Sequence, residues 1–98
     1  MSKLTEAARG QPCLVWLPVC NGNPETVVAA HYRSLNLGAG VGIKPHDIFS
    51  AHACSACHDV LDGRTSIEGY SRDTVRQYHA LGVLRTIDKL IRTGKVKV

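Results

Sequence analysis

Four cysteines, arranged as two pairs, constrain the fold of this 98-residue chain more than any other feature. Six residues separate Cys13 from Cys20, and two residues separate Cys54 from Cys57. Tetrahedral zinc is usually held by two cysteine pairs, each carried on a tight turn. A chain of this length buries little apolar surface and often needs such a crosslink. The sequence therefore predicts a single domain, residues 1–98, built around a structural Zn²⁺ ion bound by all four cysteines; unpaired or redox-active thiols are the alternative.

The predicted cellular compartment also favours zinc over disulfides. The first residues, MSKLTEAARGQPC, contain no apolar segment of signal-peptide length. No run approaches the roughly 18 apolar residues that a membrane span requires. We therefore expect a cytoplasmic protein with no membrane partner. Thiols stay reduced there, so paired cysteines more often hold metal than form disulfides.

A c-type haem is the rival explanation for the second cysteine pair. The letters CSACH at residues 54–58 form the attachment sequence of such a haem. Covalent haem needs an oxidising compartment and normally a second axial ligand, which is often methionine. Because Met1 is the sole methionine, a distant histidine would have to serve. We predict that no haem is bound.

The first half of the chain predicts few regular elements. Residues 1–10 are polar and expected to be loosely ordered. Residues 12–20 contain two prolines, which favours an extended hairpin or zinc-binding loop over a helix. The β-branched start of ETVVAAHYR predicts a strand that ends near His31 or Arg33. The glycine-rich residues 34–47 predict a long surface loop.

Two helices are predicted in the second half. Ser55 to Asp62 permits a short helix, with Gly63 as its C-terminal stop. An amphipathic helix is predicted over 71–94, with Ser71 as its N-cap. Its apolar stripe comprises Val75, Tyr78, Leu81, Leu84, Ile87 and Ile91. These elements predict an α+β domain with few strands.

The positive charge is concentrated in the C-terminal region. From Ser71 onward the chain carries seven basic residues and two acidic ones, whereas the preceding part is nearly neutral. Such a basic segment suits a polyanionic partner, and it is equally typical of a solvated helix face. Charge alone does not choose between these interpretations.

His58, Asp62 and His31 are the candidate residues for chemistry. His58 and Asp62 are four residues apart on the predicted short helix, so they share a face and could ligate one divalent cation. The alternative is that His58 packs beside the zinc site while Asp62 is solvated. His31, at the end of the predicted strand, suits the general base of a metal-assisted phosphodiesterase. It could also be an ordinary half-buried histidine.

The segments AHYR and ACSACHDVLDG resemble the HNH, or ββα-metal, nucleases that carry a four-cysteine zinc. Over about residues 8–93 the chain is similar to small HNH-type proteins assigned as nucleases in lambdoid phages and prophages, and to a recombinase-dependent phage nuclease. The resemblance implies a small zinc-stabilised ββα-metal (His-Me finger-like) domain with a C-terminal amphipathic helix. It implies a metal-dependent endonuclease that hydrolyses DNA, including recombination intermediates, inside a bacterial host cell.

The resemblance also implies roles for individual residues. His31 would be the general base, and His58, with Asp62, would bind the catalytic Mg²⁺ or another divalent cation. Cys13, Cys20, Cys54 and Cys57 match the structural zinc ligands of the family. From charge and nearness alone, we add Arg33 and Arg64 as candidates for binding the nucleic-acid phosphate.

The sequence departs from the family pattern at two places. Many HNH nucleases have a metal ligand immediately before the base, where this chain has Ala30. Many also have an asparagine shortly before the second cysteine pair, and here Asp47, Ser50 or His52 would have to substitute for it. The alternative is therefore a catalytically degenerate, zinc-dependent module that binds nucleic acid.

Four further aromatic residues were assigned from their context. His46 and His52 are expected to be surface or packing residues, with His52 as the reserve metal ligand. His79 is expected to have a structural role within the long helix. Trp16 is expected to cover the small core, although an exposed indole could stack on a base.

Overall fold

A computed structural model describes residues 3–32 and 46–97. Arg33 and most of the predicted glycine-rich loop lie outside the described residues. A short helix, α1 (Lys3–Glu6), precedes the cysteine loop, and a single 3-10 turn spans Pro24–Thr26. The remaining elements are β1 (Val28–His31), β2 (Ser50–Ala53), α2 (Ser55–Leu61) and α3 (Arg72–Arg92). The fold is a small mixed α+β arrangement, as predicted.

The two strands pair antiparallel, with Val28 opposite Ala53 and His31 opposite Ser50. A backbone hydrogen bond of 2.7 Å from Tyr32 to Phe49 extends the ladder by one step. The sequence analysis did not predict β2, because SAHA has neither β-branched residues nor an alternating pattern. All four of its residues are buried, so packing on both faces defines this strand.

The predicted short helix agrees with α2, which ends at Leu61 with Asp62 as its C-cap. The Cys54 thiol accepts a hydrogen bond from the Cys57 backbone N–H at 3.4 Å, so a cysteine caps the helix N-terminus. Gly63 has a φ of 81°, a conformation that glycine adopts without steric strain. The second cysteine pair therefore leads directly into the helix.

Helix α3 lies within the predicted 71–94 segment, and the Ser71 side chain caps it by accepting a hydrogen bond from the Thr74 backbone N–H. The predicted apolar stripe was wrong at two positions, since Leu81 and Leu84 are 49% and 63% exposed. Gly82 and Thr86 are buried instead. The helix is rotated so that its glycine, which has no Cβ, meets β2 and the cysteine loop.

The core lies between the strands, the cysteine loop and α3. Many of its buried side chains are small or β-branched, among them Val15, Val27, Ala51, Ala53, Val60 and Val75. Trp16 does not belong to it: its side chain is 57% exposed, which corrects the prediction that it covers the core. Among the described residues, none of the helices combines the length and apolarity that crossing a membrane would take.

Candidate active site

The four cysteine thiols converge at the base of α2. All four Sγ atoms lie within 4.8 Å of one another, and Cys20 and Cys54 are 3.8 Å apart. Tetrahedral zinc with Zn–S bonds of about 2.3 Å places its sulfurs roughly 3.8 Å apart. No disulfide links the four residues. Their donor atoms therefore fit a zinc ion with little rearrangement.

The thiols are electrostatically coupled because they are so close together. The hydrogen bond from the Cys57 thiol lowers the pKa of Cys13 to about 4, and the same contact raises the pKa of Cys57. Burial raises the pKa of Cys20. Thiols this close together compete for one another's protons, whereas a cation in the centre would stabilise all of them as thiolates.

Hydrogen bonds fix the first cysteine pair against the rest of the fold. The Leu14 backbone N–H donates to the His52 carbonyl at 2.8 Å, and Arg85 donates to the Leu14 carbonyl at 2.9 Å. The Trp16 indole donates to the Cys13 carbonyl at 3.1 Å, and the Arg85 guanidinium stacks 3.6 Å from the centre of its ring. These contacts explain how Trp16 can keep a φ of 65°.

A cleft of about 490 Å³ opens beside α2. Its lining comes from β1, α2 and α3: Ala29, His31, His58, Leu61, Asp62, Arg76 and His79. The structure thus brings together three residues that the sequence analysis selected for chemistry, namely His31, His58 and Asp62. His58 immediately follows Cys57, so the cysteine cluster fixes the start of the helix that carries this wall of the cleft.

Asp47 accompanies His31 at the cleft. Its Oδ1 lies 2.8 Å from Nε2 of His31. The Ser50 hydroxyl donates to the Asp47 carbonyl, which anchors the turn before β2. A carboxylate oxygen can only accept a hydrogen bond. A neutral His31 therefore carries its proton on Nε2 and has a lone pair on Nδ1. Asp47 was one of three suggested substitutes for the missing asparagine.

His58 and Asp62 meet on one face of α2, as their spacing predicted. Nε2 of His58 lies 3.2 Å from Oδ2 of Asp62. Two ligands at right angles around a small divalent cation, with bonds of about 2.1 Å, would be roughly 3.0 Å apart. The separation therefore suits shared ligation. Arg64 also pairs with the same Oδ2 of Asp62 at 3.3 Å and with Asp59 at 3.1 Å, so its guanidinium lies beside the His58–Asp62 pair.

Sequence reasoning missed the contribution of α3 to the cleft. Arg76 and His79, one helical turn apart, both line it. The Arg76 guanidinium lies 5.0 Å from the centre of the Tyr32 ring, and His79 makes an edge contact with the same ring at 5.1 Å. Burial lowers the pKa of His79. The i, i+3 spacing of Arg76 and His79 places both on one face of α3. It could not indicate that this face meets the cleft, because that depends on how α3 is rotated against the sheet.

The other two histidines lie outside these clusters. His52 is only 2% exposed in β2, and burial and the charge of Lys89 lower its pKa. It belongs neither to the described cysteine cluster nor to the lining of the cleft, so its suggested use as a reserve ligand has no geometric support. His46 is exposed and accepts a hydrogen bond from the Ile48 backbone N–H.

Comparisons with known proteins relate the chain to a bacterial and phage family. The family described as "Putative nuclease YbcO" matches residues 2–95. The chain is 44% identical over 100 residues to "Putative nuclease YbcO" of Escherichia coli (strain K12), and equally to "Putative nuclease ybcO" of Enterobacteria phage 82, with 99% of each sequence covered. A solved structure, "Structure of a putative bacteriophage protein from Escherichia coli str. K-12 substr. MG1655", is similar with a TM-score of 0.75 at 40% identity; the match covers 92% of this chain and 98% of that one.

Proposed function

The chain belongs to the family described as "Putative nuclease YbcO", and on that premise we propose that it is a metal-dependent endonuclease of HNH type that hydrolyses DNA. The observation that carries the proposal is the meeting of His31 with the His58–Asp62 pair in one cleft. A base and a cation-binding pair in one cleft are the groups that phosphodiester hydrolysis requires.

In this proposal the cysteine cluster is structural. Zn²⁺ would be held by the four thiols, which are closed around one point and supply no open coordination position. A structural ion there would hold the cysteine loop on the start of α2 and so fix the direction of His58. In this proposal the cysteines stabilise the fold and other residues carry out catalysis, because the cysteines do not line the cleft.

The reacting groups would come from two elements of the cleft, β1 and α2. His31 would accept a proton from water through Nδ1, because its Nε2–H is directed to Asp47. A divalent cation held by His58 and Asp62 supplies, when bound, electrostatic stabilisation of the phosphate and of the departing oxygen. Leu61 contributes the apolar part of the wall beside them.

Arg76 is the proposed phosphate-binding residue in place of Arg64. It lines the cleft, whereas Arg64 is not among the residues of that lining. A guanidinium matches the paired oxygens of a phosphate. Arg33, the other predicted phosphate-binding residue, lies outside the described residues and has no role in this proposal.

Plasmid cleavage tests the proposal. Purified protein should convert supercoiled DNA to nicked and linear forms when Mg²⁺ or Mn²⁺ is added, and EDTA should stop the reaction. His31→Ala should abolish cleavage while its folding and zinc content match wild type. Parallel assays on duplex, single-stranded and four-way-junction DNA would define the substrate.

The outcomes separate the two interpretations of the family resemblance. If wild type cuts no DNA with any divalent cation but still binds it in a salt-dependent way, the catalytically degenerate binding module replaces the nuclease. If His31→Ala cuts as fast as wild type, the assignment of the base is wrong.

A further inference from the structure

Trp16, the sole tryptophan of the chain, is held outside the core by its backbone conformation. It is 57% exposed, although its neighbours Val15 and Leu17 are buried. Its φ of 65° is the only positive φ of a non-glycine residue in the parts of the chain that the structure describes. A side chain with a Cβ is disfavoured there, so such a conformation persists only where surrounding contacts enforce it. The fold thus presents a large aromatic ring to solvent at a cost in backbone free energy.

The indole is fixed in one orientation by two contacts. Its N–H donates to the Cys13 carbonyl at 3.1 Å, and the Arg85 guanidinium lies over the ring, 3.6 Å from its centre. Arg85 is itself held in place, because it donates to the Leu14 carbonyl at 2.9 Å. Among residues 3–32 and 46–97, no second aromatic or cationic group stacks on the indole. A rigid, exposed ring with one cation-covered face is therefore available for a further stacking partner.

The positive charge beside the indole is not neutralised by the described residues. Arg85 forms no ion pair with them, and neither does Lys89, which lies one helical turn further along α3 on the same side. Arg92 differs, because it pairs with Asp88 at 2.9 Å. Unpaired cations next to an exposed aromatic ring match a polyanion that also carries flat rings, which describes a nucleic-acid strand.

We propose that Trp16 stacks on an unpaired base of the DNA substrate, while Arg85 contacts the phosphate next to that base. The inference rests on the proposed function, which makes DNA the partner, and it adds the substrate class: DNA that contains single-stranded or otherwise unpaired bases. A base within a duplex already stacks on both of its faces, so it must leave the stack before an indole can cover it. Arg85 can stack through its planar face and still direct N–H groups at its edge to a phosphate.

The fluorescence of Trp16 tests the proposal on wild type, because no other tryptophan contributes to the signal. Zinc-loaded protein without added Mg²⁺ or Mn²⁺ would be titrated with three ligands. These are a short oligothymidylate, a strand of the same length and charge whose nucleotides lack bases, and a duplex of equal length. The oligothymidylate should quench the fluorescence strongly. The strand without bases and the duplex should leave it nearly unchanged.

Variants test the contribution of each residue to affinity, measured by the anisotropy of a labelled oligothymidylate. Trp16→Gly removes the indole and suits a φ of 65°, so the loop can keep its conformation. It should weaken binding by about tenfold or more. Leu84→Ala is the matched control, since it truncates another exposed apolar residue, and it should bind as wild type does. Arg85→Gln should reduce the slope of log Kd against log salt concentration by about one.

Two results would overturn the inference. Equal quenching by the strand without bases would show that charge alone brings DNA to Trp16. Equal affinity of Trp16→Gly and wild type for oligothymidylate would show that the indole does not contribute to binding. In either case the exposed indole would belong to a protein contact or to the fold alone. The fluorescence measurement on wild type decides the matter even if Trp16→Gly does not fold.

Failure of this inference can be told apart from failure of the proposed function. If wild type cleaves plasmid DNA but oligothymidylate does not quench Trp16, the nuclease stands and the stacking role is wrong. If oligothymidylate quenches Trp16 but no divalent cation supports cleavage, the stacking role stands and the nuclease is replaced by a binding module.

Discussion

Nε2 of His31 lies 2.8 Å from Oδ1 of Asp47, a residue sixteen positions away in the chain. His31 ends β1, and Asp47 belongs to the turn that leads into β2, so the pairing of the two strands brings them together. The contact orients the imidazole and selects the tautomer in which Nδ1 can accept a proton. This relationship gives the proposed base a positioning residue.

Asp47→Asn should reduce the rate of DNA cleavage by at least about 100-fold, because an amide can stabilise the wrong tautomer of His31. The change should appear in kcat, with KM and zinc content nearly unchanged. Asp88→Asn is the matched control, since Asp88 is exposed on α3 and pairs with Arg92. Asp47→Asn should also shift the ring ¹⁵N resonances of His31, because the tautomer changes. Unchanged resonances would show that Asp47 does not act through His31.

Arg76→Gln should weaken DNA binding and raise KM more than it lowers kcat. The guanidinium lines the cleft, where it could contact a phosphate. Each lost phosphate contact reduces the slope of log Kd against log salt concentration by about one. Arg92→Gln serves as the control for the rate of cleavage, because this residue is about 24 Å further along α3. Fluorescence anisotropy at several salt concentrations gives the slope. Equal slopes for wild type and Arg76→Gln would contradict a phosphate contact.

Zinc removal should unfold the domain. Cys54 and Cys57 are fully buried, and the four thiols join the cysteine loop to α2, so their loss would leave a small core without its crosslink. Cys57→Ser, or prolonged chelation of wild type, should abolish the cooperative thermal transition seen by circular dichroism. His58→Ala should retain about one zinc per chain and a cooperative transition. Cooperative melting of metal-free wild type would argue against a structural ion.

Much of the local structure could be predicted because the signals were local. The cysteine spacing, the Ser71 cap and the Gly63 stop each depend on a few neighbouring residues, and the structure has the corresponding features. The cleft was only half predictable. His31, His58 and Asp62 could be selected by residue type and spacing, whereas the contribution of α3 depends on how that helix is rotated against the sheet.

Long-range packing accounts for what the sequence analysis missed. Strand β2 has no strand-like composition, and it is defined by pairing with β1 and by burial under α3. Trp16 appeared to be a core residue because it is large and apolar, yet Val15 and Leu17 on either side are the buried ones. Trp16 has a φ of 65°, a left-handed conformation that residue type did not indicate, and its indole lies outside the core between these two buried neighbours.

Thr86→Val should lower the free energy of unfolding by about 1–3 kcal/mol. The Thr86 hydroxyl accepts from the His52 backbone N–H at 3.0 Å and donates to the Gly82 carbonyl at 2.7 Å. Thr86 is 1% exposed, so valine would leave that N–H buried without a partner.

Thr93→Val is the control on the same helix, because Thr93 is exposed, and its effect should stay within about 0.5 kcal/mol. Urea unfolding curves measure both. Equal stability of the two variants would contradict the role of this hydrogen bond.

Gly82→Ala should destabilise the fold, although alanine is normally the better helix former by about 1 kcal/mol. A Cβ at this position would lie 3.1 Å from the Ala51 Cβ and 3.1 Å from a Val15 methyl group. Ala51 lies in β2 and cannot move without displacing the strand, so the overpacking penalty of about 1–3 kcal/mol should exceed the helical gain.

Ala80→Gly and Gly82→Ala should then both lower stability, for opposite reasons. Ala80 belongs to the same helix and is half-buried, so there the change removes helix propensity, at a cost of about 1 kcal/mol, together with one partly buried methyl group. Gly82→Ala should in addition shift the amide resonances of Ala51 and Val15, which Ala80→Gly should leave nearly unchanged. A more stable Gly82→Ala protein would mean that β2 and the cysteine loop can withdraw from α3. The close contact between α3 and β2 would then not be the reason that position 82 is glycine.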